Sequence, residues 1–225
     1  RARCRPHARP ATSRPPTPPH PAPTARRVRA MVKTESTDLA LGQFPLPSFT
    51  LPVPATGGTV ADADSAGKVT WVMFLGSHCP FVILLKKKIA ELARTYAARG
   101  VSIVAICSNS EETHPQDGPA AIKAEVEEYG YCFPYAYDRD GAVAKAFRAA
   151  CTPDLYIFTA DGKLFYHGQF DAARPGNDIA PTGADLATAL DDALAGRPLG
   201  RPIKRSIGCN IKFAPGNEPE YFQSK

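Results

Sequence analysis

Two nearly unbroken apolar runs, Val69 to Leu75 and Val101 to Cys107, flank a segment in which Val82, Leu85, Ile89, Leu92, Ala93 and Tyr96 recur at helical spacing. Runs without alternation predict strands covered on both faces, and the spacing between them predicts a helix with one buried stripe. Pro80 suits the first helical position, and Gly100 supplies a stop. Further on, Pro119 opens a helix whose Ile122, Val126 and Tyr129 share a face, and a strand is predicted near Phe133 to Tyr137. A short helix over Val143 to Ala150 follows. Leu155 to Phe158 and Leu164 to Tyr166 then flank Asp161-Gly162, a hairpin turn signal. A last helix, about Ala184 to Ala195, begins after Thr182 with Asp185 three residues on, the pattern of a capping box. Strands alternating with helices and closing on a hairpin and a helix predict an α/β sandwich with a mixed sheet.

Composition changes this picture mainly at the ends. Residues 1–30 hold eight arginines, eight prolines and no acid, a composition that cannot bury a core and predicts disorder. Two readings of this leader stay open: an organellar transit peptide, directing the chain to chloroplast or mitochondrion, or an upstream frame preceding a true start at Met31, with a cytoplasmic protein. The whole-chain charge of +5 comes from the leader: without it, 19 basic residues face 22 acidic ones. A basic nucleic-acid surface is therefore not expected of the folded part, and no apolar run approaches the ~18 residues that span a bilayer. The organisation expected is a disordered leader (1–30), one domain (31–196) and a C-terminal tail (197–225) that docks on it. Six cysteines, at 4, 79, 107, 132, 151 and 209, are too dispersed for a secreted disulfide scaffold and suit a reducing compartment.

Of these, Cys79 carries the chemistry. It stands where the first buried strand gives way to the long helix, so its thiol lies among unpaired N–H groups at the positive end of a helix dipole. Such a placement lowers a thiol pKa and marks a nucleophilic or redox cysteine; the alternative is a cysteine that only packs. His78 can add positive charge beside the thiol or stand solvated in a loop, and Ser77 can hydrogen-bond a thiolate or cap the helix. Cys107 and Cys132 read as core, and Cys4 belongs to the leader. Lys86-Lys87-Lys88 reads as a solvated helix face with Glu91 in reach. In the tail, Ile207, Cys209, Ile211 and Phe213 alternate and would share one face if extended, so the segment must dock on something apolar. No Cys/His cluster has zinc spacing, and neither metal nor cofactor is expected.

The order of these elements resembles the thioredoxin fold, and in detail the peroxiredoxin-like branch of the redoxin (AhpC/TSA) families. The resemblance rests on His78-Cys79-Pro80-Phe81-Val82, Ala150-Cys151-Thr152-Pro153-Asp154, Asp161-Gly162-Lys163-Leu164, Arg174-Pro175-Gly176-Asn177 and Ser206-Ile207-Gly208-Cys209-Asn210-Ile211-Lys212. It implies a three-layer sandwich, with Thr152-Pro153 as a cis-proline loop against the start of the Cys79 helix and Cys151 brought near. Relatives commonly carry a Cys-x-x-Cys pair ending at Cys79, whereas here its first member is Gly76, which also lacks the threonine hydroxyl of true peroxiredoxins. Gly76→Cys is expected to restore a dithiol able to reduce insulin.

The function expected is a thiol-dependent oxidoreductase, a peroxiredoxin-like antioxidant in which Cys79 attacks a peroxide or a disulfide. Cys209, Cys151 or an external thiol such as glutathione or thioredoxin then restores it, with Ser77, His78, Thr152 and Pro153 in support; if the tail docks away from the Cys79 loop Cys209 only packs, and Cys151 has the same alternative as a small buried hydrophobe. The competing expectation is a redox-silent thioredoxin-fold module for binding or assembly. Neither a nucleic-acid nor a membrane partner is expected.

Overall fold

A computed structural model describes residues 33–222; the leader and the start at Met31 fall outside the described residues. The central sheet contains β4 (Thr70–Phe74), β5 (Ser102–Cys107), β6 (Tyr135–Tyr137), β8 (Asp154–Phe158) and β9 (Leu164–His167), in the order β6-β5-β4-β8-β9. The first three are parallel, and β8 and β9 complete the sheet antiparallel, so it is mixed as the pattern predicts. Parallel neighbours need a crossover, supplied by α1 (Pro80–Ala97) between β4 and β5 and by α2 (Pro119–Tyr129) between β5 and β6. The antiparallel pair needs only the turn at Asp161-Gly162, where Gly162 N donates to Thr159 O at 2.9 Å.

Every residue of β4 is buried because helices cover both faces of the sheet. Trp71 and Met73 face a core built with α1, α2 and α4 (Ala184–Leu194), while Val72 and Phe74 face α3 (Ala142–Phe147) and the hairpin of β2 (Thr50–Val53) and β3 (Gly58–Ala61). The hairpin, absent from the sequence reading, shows only two buried positions on β2 and one on β3, too faint a pattern among the prolines to be legible.

Three local expectations are corrected. The capping box at Thr182 does not form: the residue before α4 is Gly183, and Asp171 accepts the N–H groups of Thr182 (2.6 Å) and Gly183 (2.7 Å), leaving Asp185 to Gln169. Cys132 is exposed, because the extended stretch alternates and turns Tyr131 and Phe133 inward instead. The four apolar tail residues do not share one face: Ile207 and Cys209 pack on the α1 side, Ile211 and Phe213 on the α3 side. The alternation ends because the strand β10 (Ile207–Asn210) ends, and the chain then crosses the sheet margin.

β10 itself lies in the middle of a second small sheet, β1 (Thr34–Glu35), β10 and β7 (Cys151–Thr152), both pairings antiparallel. Its register sets Cys209 opposite Thr152 and Asn210 opposite Cys151. Residues at both ends of the described chain thus meet beside the cis Thr152-Pro153 bond.

Candidate active site

Cys79 is the residue that caps α1, with Pro80 in the first turn, and only 1% of it is exposed. Its Sγ lies 3.0 Å from Thr152 O, and the Cys209 side chain approaches it from β10. The two pull the titrations apart: Cys79 is lowered to about 6 and Cys209 is pushed well up. For Cys79 the neighbouring Cys209 thiol is the largest cause and burial opposes it; the N–H groups of Val82 and Cys209 also favour the anion. Val82 is in the first turn of α1, so the helix terminus contributes, but a second cysteine contributes more.

Cys151, two residues before Pro153, is buried and its thiol donates to Pro153 O at 3.5 Å. The cysteine that meets Cys79 is Cys209, because antiparallel pairing puts residue 209, not 210, opposite Thr152. Thr152 Oγ1 is buried and turned toward Gly76, and Ser77 Oγ is buried without a hydrogen-bond partner. Ser77 therefore caps nothing; the capping position belongs to Cys79.

His78 is held from below. Its backbone N–H donates to Asp117 Oδ1 at 3.1 Å, its Nδ1 pairs with Asp117 Oδ2, and its ring stacks on His114 with centroids 5.2 Å apart. The Asp117 hydrogen bond raises the His78 pKa against the opposing effect of burial. Asp117 is fully buried; burial pushes its carboxyl up, but His78 and Asn109 together hold it below the usual carboxylate range. Asn109 Nδ2 donates to Asp117 Oδ2 at 2.8 Å, while Asn109 Oδ1 accepts the N–H of Lys212 at 2.7 Å from the strand-end carrying Cys209.

This carboxamide explains the missing motif cysteine. A Cβ at Gly76 would lie 2.7 Å from Asn109 Nδ2 and 3.5 Å from Thr152 Oγ1, so the space a first cysteine would need is filled. Gly76→Cys can restore a dithiol only if the Asn109 carboxamide moves aside.

Lys86 is also corrected, since it is not solvated. It is 7% exposed, pairs with the buried Glu125 at 3.1 Å and donates to Ser77 O at 2.9 Å, bracing the loop before Cys79 from within the helix layer. Lys88 does take Glu91 on the surface. Asp117, Asn109, Lys86 and Glu125 are the site residues that sequence reasoning missed. The Asp117-Gly118-Pro119 run reads as an ordinary turn before a helix, and nothing in it signals a partner 39 residues upstream. Among the described residues, no group of three metal-ligating side chains gathers, and no helix is long and apolar enough to cross a membrane.

Residues 43–167 match the model of the AhpC/TSA family, more than half of the chain, and the protein belongs to that family. Its fold is thioredoxin-like, the same as in a putative thiol:disulfide interchange protein DsbE from Chlorobium tepidum (TM-score 0.56, 20% identity, 70% of this chain and 99% of that one). It is more similar to an uncharacterized conserved protein from Geobacillus kaustophilus (TM-score 0.80, 45% identity, 83% of this chain and 98% of that one). Among curated proteins it is 29% identical over 101 residues to the thiol-disulfide oxidoreductase ResA of Bacillus thuringiensis subsp. konkukian (strain 97-27). That match spans 45% of this chain and about half, 54%, of the relative.

Proposed function

We propose that this protein is a thiol-dependent oxidoreductase in which Cys79 is the attacking thiolate and Cys209 the resolving thiol. The observation that carries this is the thiol pair itself: Cys209 on β10 stands opposite Thr152, whose carbonyl oxygen lies 3.0 Å from Cys79 Sγ, and the two thiols move each other's titration in opposite directions, Cys79 down to about 6 and Cys209 up. A redox-silent module has no need of that polarisation. The thiolate attacks a peroxide oxygen or a disulfide sulfur of the substrate, giving a sulfenic acid or a mixed disulfide. Cys209 then attacks Cys79 Sγ, hydroxide or the substrate thiolate leaves, and a Cys79–Cys209 disulfide remains. An external thiol, of the glutathione or thioredoxin kind, returns the pair to the dithiol. Likeness to ResA and membership of the AhpC/TSA family support thiol redox chemistry of this class.

The test is peptide mapping after stoichiometric oxidation by hydrogen peroxide or glutathione disulfide. A bond between Cys79 and Cys209 is expected, lost in Cys79→Ser, while Cys209→Ser should accumulate a sulfenic acid with peroxide. A Cys79–Cys151 bond, or no disulfide with either oxidant, would overturn the assignment.

A further inference from the structure

We propose that Asn109 is the positioning residue of the thiol pair: its single carboxamide fastens the strand end that carries Cys209 to the buried carboxylate beneath the Cys79 loop. The inference rests on the paired-thiol reading above and names the residue that assembles the pair.

The strand needs such an anchor. Along its length β10 is held only by two-residue pairings, Ile207 and Gly208 with β1 on one side, Cys209 and Asn210 with β7 on the other. Pairings this short are marginal by themselves. Past the strand end, Ile211 N donates to Ala150 O at 3.1 Å, Lys212 N to Asn109 Oδ1 at 2.7 Å, and Ser110 N to Lys212 O at 2.7 Å. Residues 109 and 110 thus grip both backbone groups of Lys212, just beyond Cys209.

What Asn109 adds is a second end. Its Nδ2 donates to Asp117 Oδ2 at 2.8 Å, and Asp117 Oδ1 accepts the backbone N–H of His78, the residue before Cys79, at 3.1 Å. Strand end, carboxamide, carboxylate and cysteine loop therefore form one hydrogen-bonded chain, with Asn109 and Asp117 both buried inside it. Asparagine suits the place because one planar group presents a donor and an acceptor. Aspartate would lack the donor and set a second carboxylate against Asp117, and leucine would lack both groups. Gly76 is part of the device: a Cβ there would lie 2.7 Å from Asn109 Nδ2, so the carboxamide reaches Asp117 only because residue 76 has no side chain.

The test is the pH profile of iodoacetamide labelling at Cys79 in the whole chain, compared among wild type, Cys209→Ala, Asn109→Leu and the double variant Asn109→Leu/Cys209→Ala. Asn109→Leu is expected to raise the midpoint by at least about half as much as Cys209→Ala does, because Cys209 is no longer held on the sulfur. In the double variant the midpoint should equal that of Cys209→Ala, since a residue that acts through Cys209 has nothing left to move. Lys212→Pro removes the N–H that Asn109 accepts while Asn109 stays on Asp117, and should raise the midpoint relative to Lys212→Gln, which keeps that N–H. With Cys209→Ala displaced, an unchanged midpoint in Asn109→Leu or in Lys212→Pro, or additive shifts in the double variant, would overturn the inference and leave the thiol pair standing. No displacement in Cys209→Ala would remove both. If the variants fail to fold, amide hydrogen exchange in the wild type decides: Lys212 should be protected as well as Ile211, and exchange about a hundredfold faster at Lys212 than at Ile211 would show that Asn109 does not hold the strand.

Discussion

Replacing Cys209 by alanine removes the largest single support of the Cys79 thiolate and leaves burial, which opposes ionisation, in place. The Val82 and Cys209 N–H groups remain, so the titration of Cys79 should move from about 6 toward the ordinary thiol value of ~8.5. In the limit where it reaches that value, the thiolate fraction at pH 7 would fall from about 90% to about 3%, a loss of roughly 30-fold. The anion that remains is more basic and hence a better nucleophile. With a Brønsted slope of about 0.4–0.5, a rise of ~2.5 in pKa returns roughly 13-fold. At pH 7 the two effects nearly cancel, and the alkylation rate changes only about two- to threefold. At pH 5, where the thiolate fraction differs by about 300-fold, the net slowing is about 20-fold. The informative assay is therefore the full pH profile of iodoacetamide labelling at Cys79, read by mass spectrometry, rather than a rate at one pH. A wild-type midpoint at or above the free-thiol value, or an unchanged midpoint in Cys209→Ala, would refute the claim that the thiol pair sets the reactivity.

Lys86→Met strands the buried Glu125 carboxylate and should cost about 3–5 kcal/mol, with much of it regained in Lys86→Met/Glu125→Gln; Trp71, fully buried, reports the unfolding by fluorescence. If the double variant is no better than the single, the two residues are not coupled as the contact suggests. Gly76→Cys should lower the melting temperature and gain no insulin reductase activity, since its Cβ meets the Asn109 carboxamide that also holds Asp117 and Lys212; a stable variant that reduces insulin contradicts this. His78 has a folded pKa above its unfolded ~6.5, so its charge-dependent stabilisation is complete below that value and is lost as pH rises through the folded one. The melting-temperature gap between wild type and His78→Ala should accordingly be widest near pH 6 and narrow toward pH 9, and a gap that widens with pH is the contrary result.

The sequence by itself determined the layers and the nucleophile. Continuous apolar runs at Val69 to Leu75 and Val101 to Cys107, a helical stripe after Pro80 and a turn at Asp161-Gly162 are local patterns, and the structure repeats them within a residue or two. Cys79 was legible for the same reason, because a strand, a cysteine and a helix-starting proline are contiguous. What surrounds the sulfur was decided by tertiary structure alone. Cys209 lies 130 residues away, and nothing local distinguishes it from Cys151; the antiparallel register of β10 against β7 makes that choice. Lys86 reads as one of three equivalent lysines until α2 brings Glu125 against it. Asp117 and Asn109 are loop residues of common type, and they acquire a role only because Gly76 leaves room for the carboxamide that links His78 to the strand of Cys209. Periodicity records which face of an element meets the core, but partners between distant segments follow from register and close packing, which a single sequence does not encode locally.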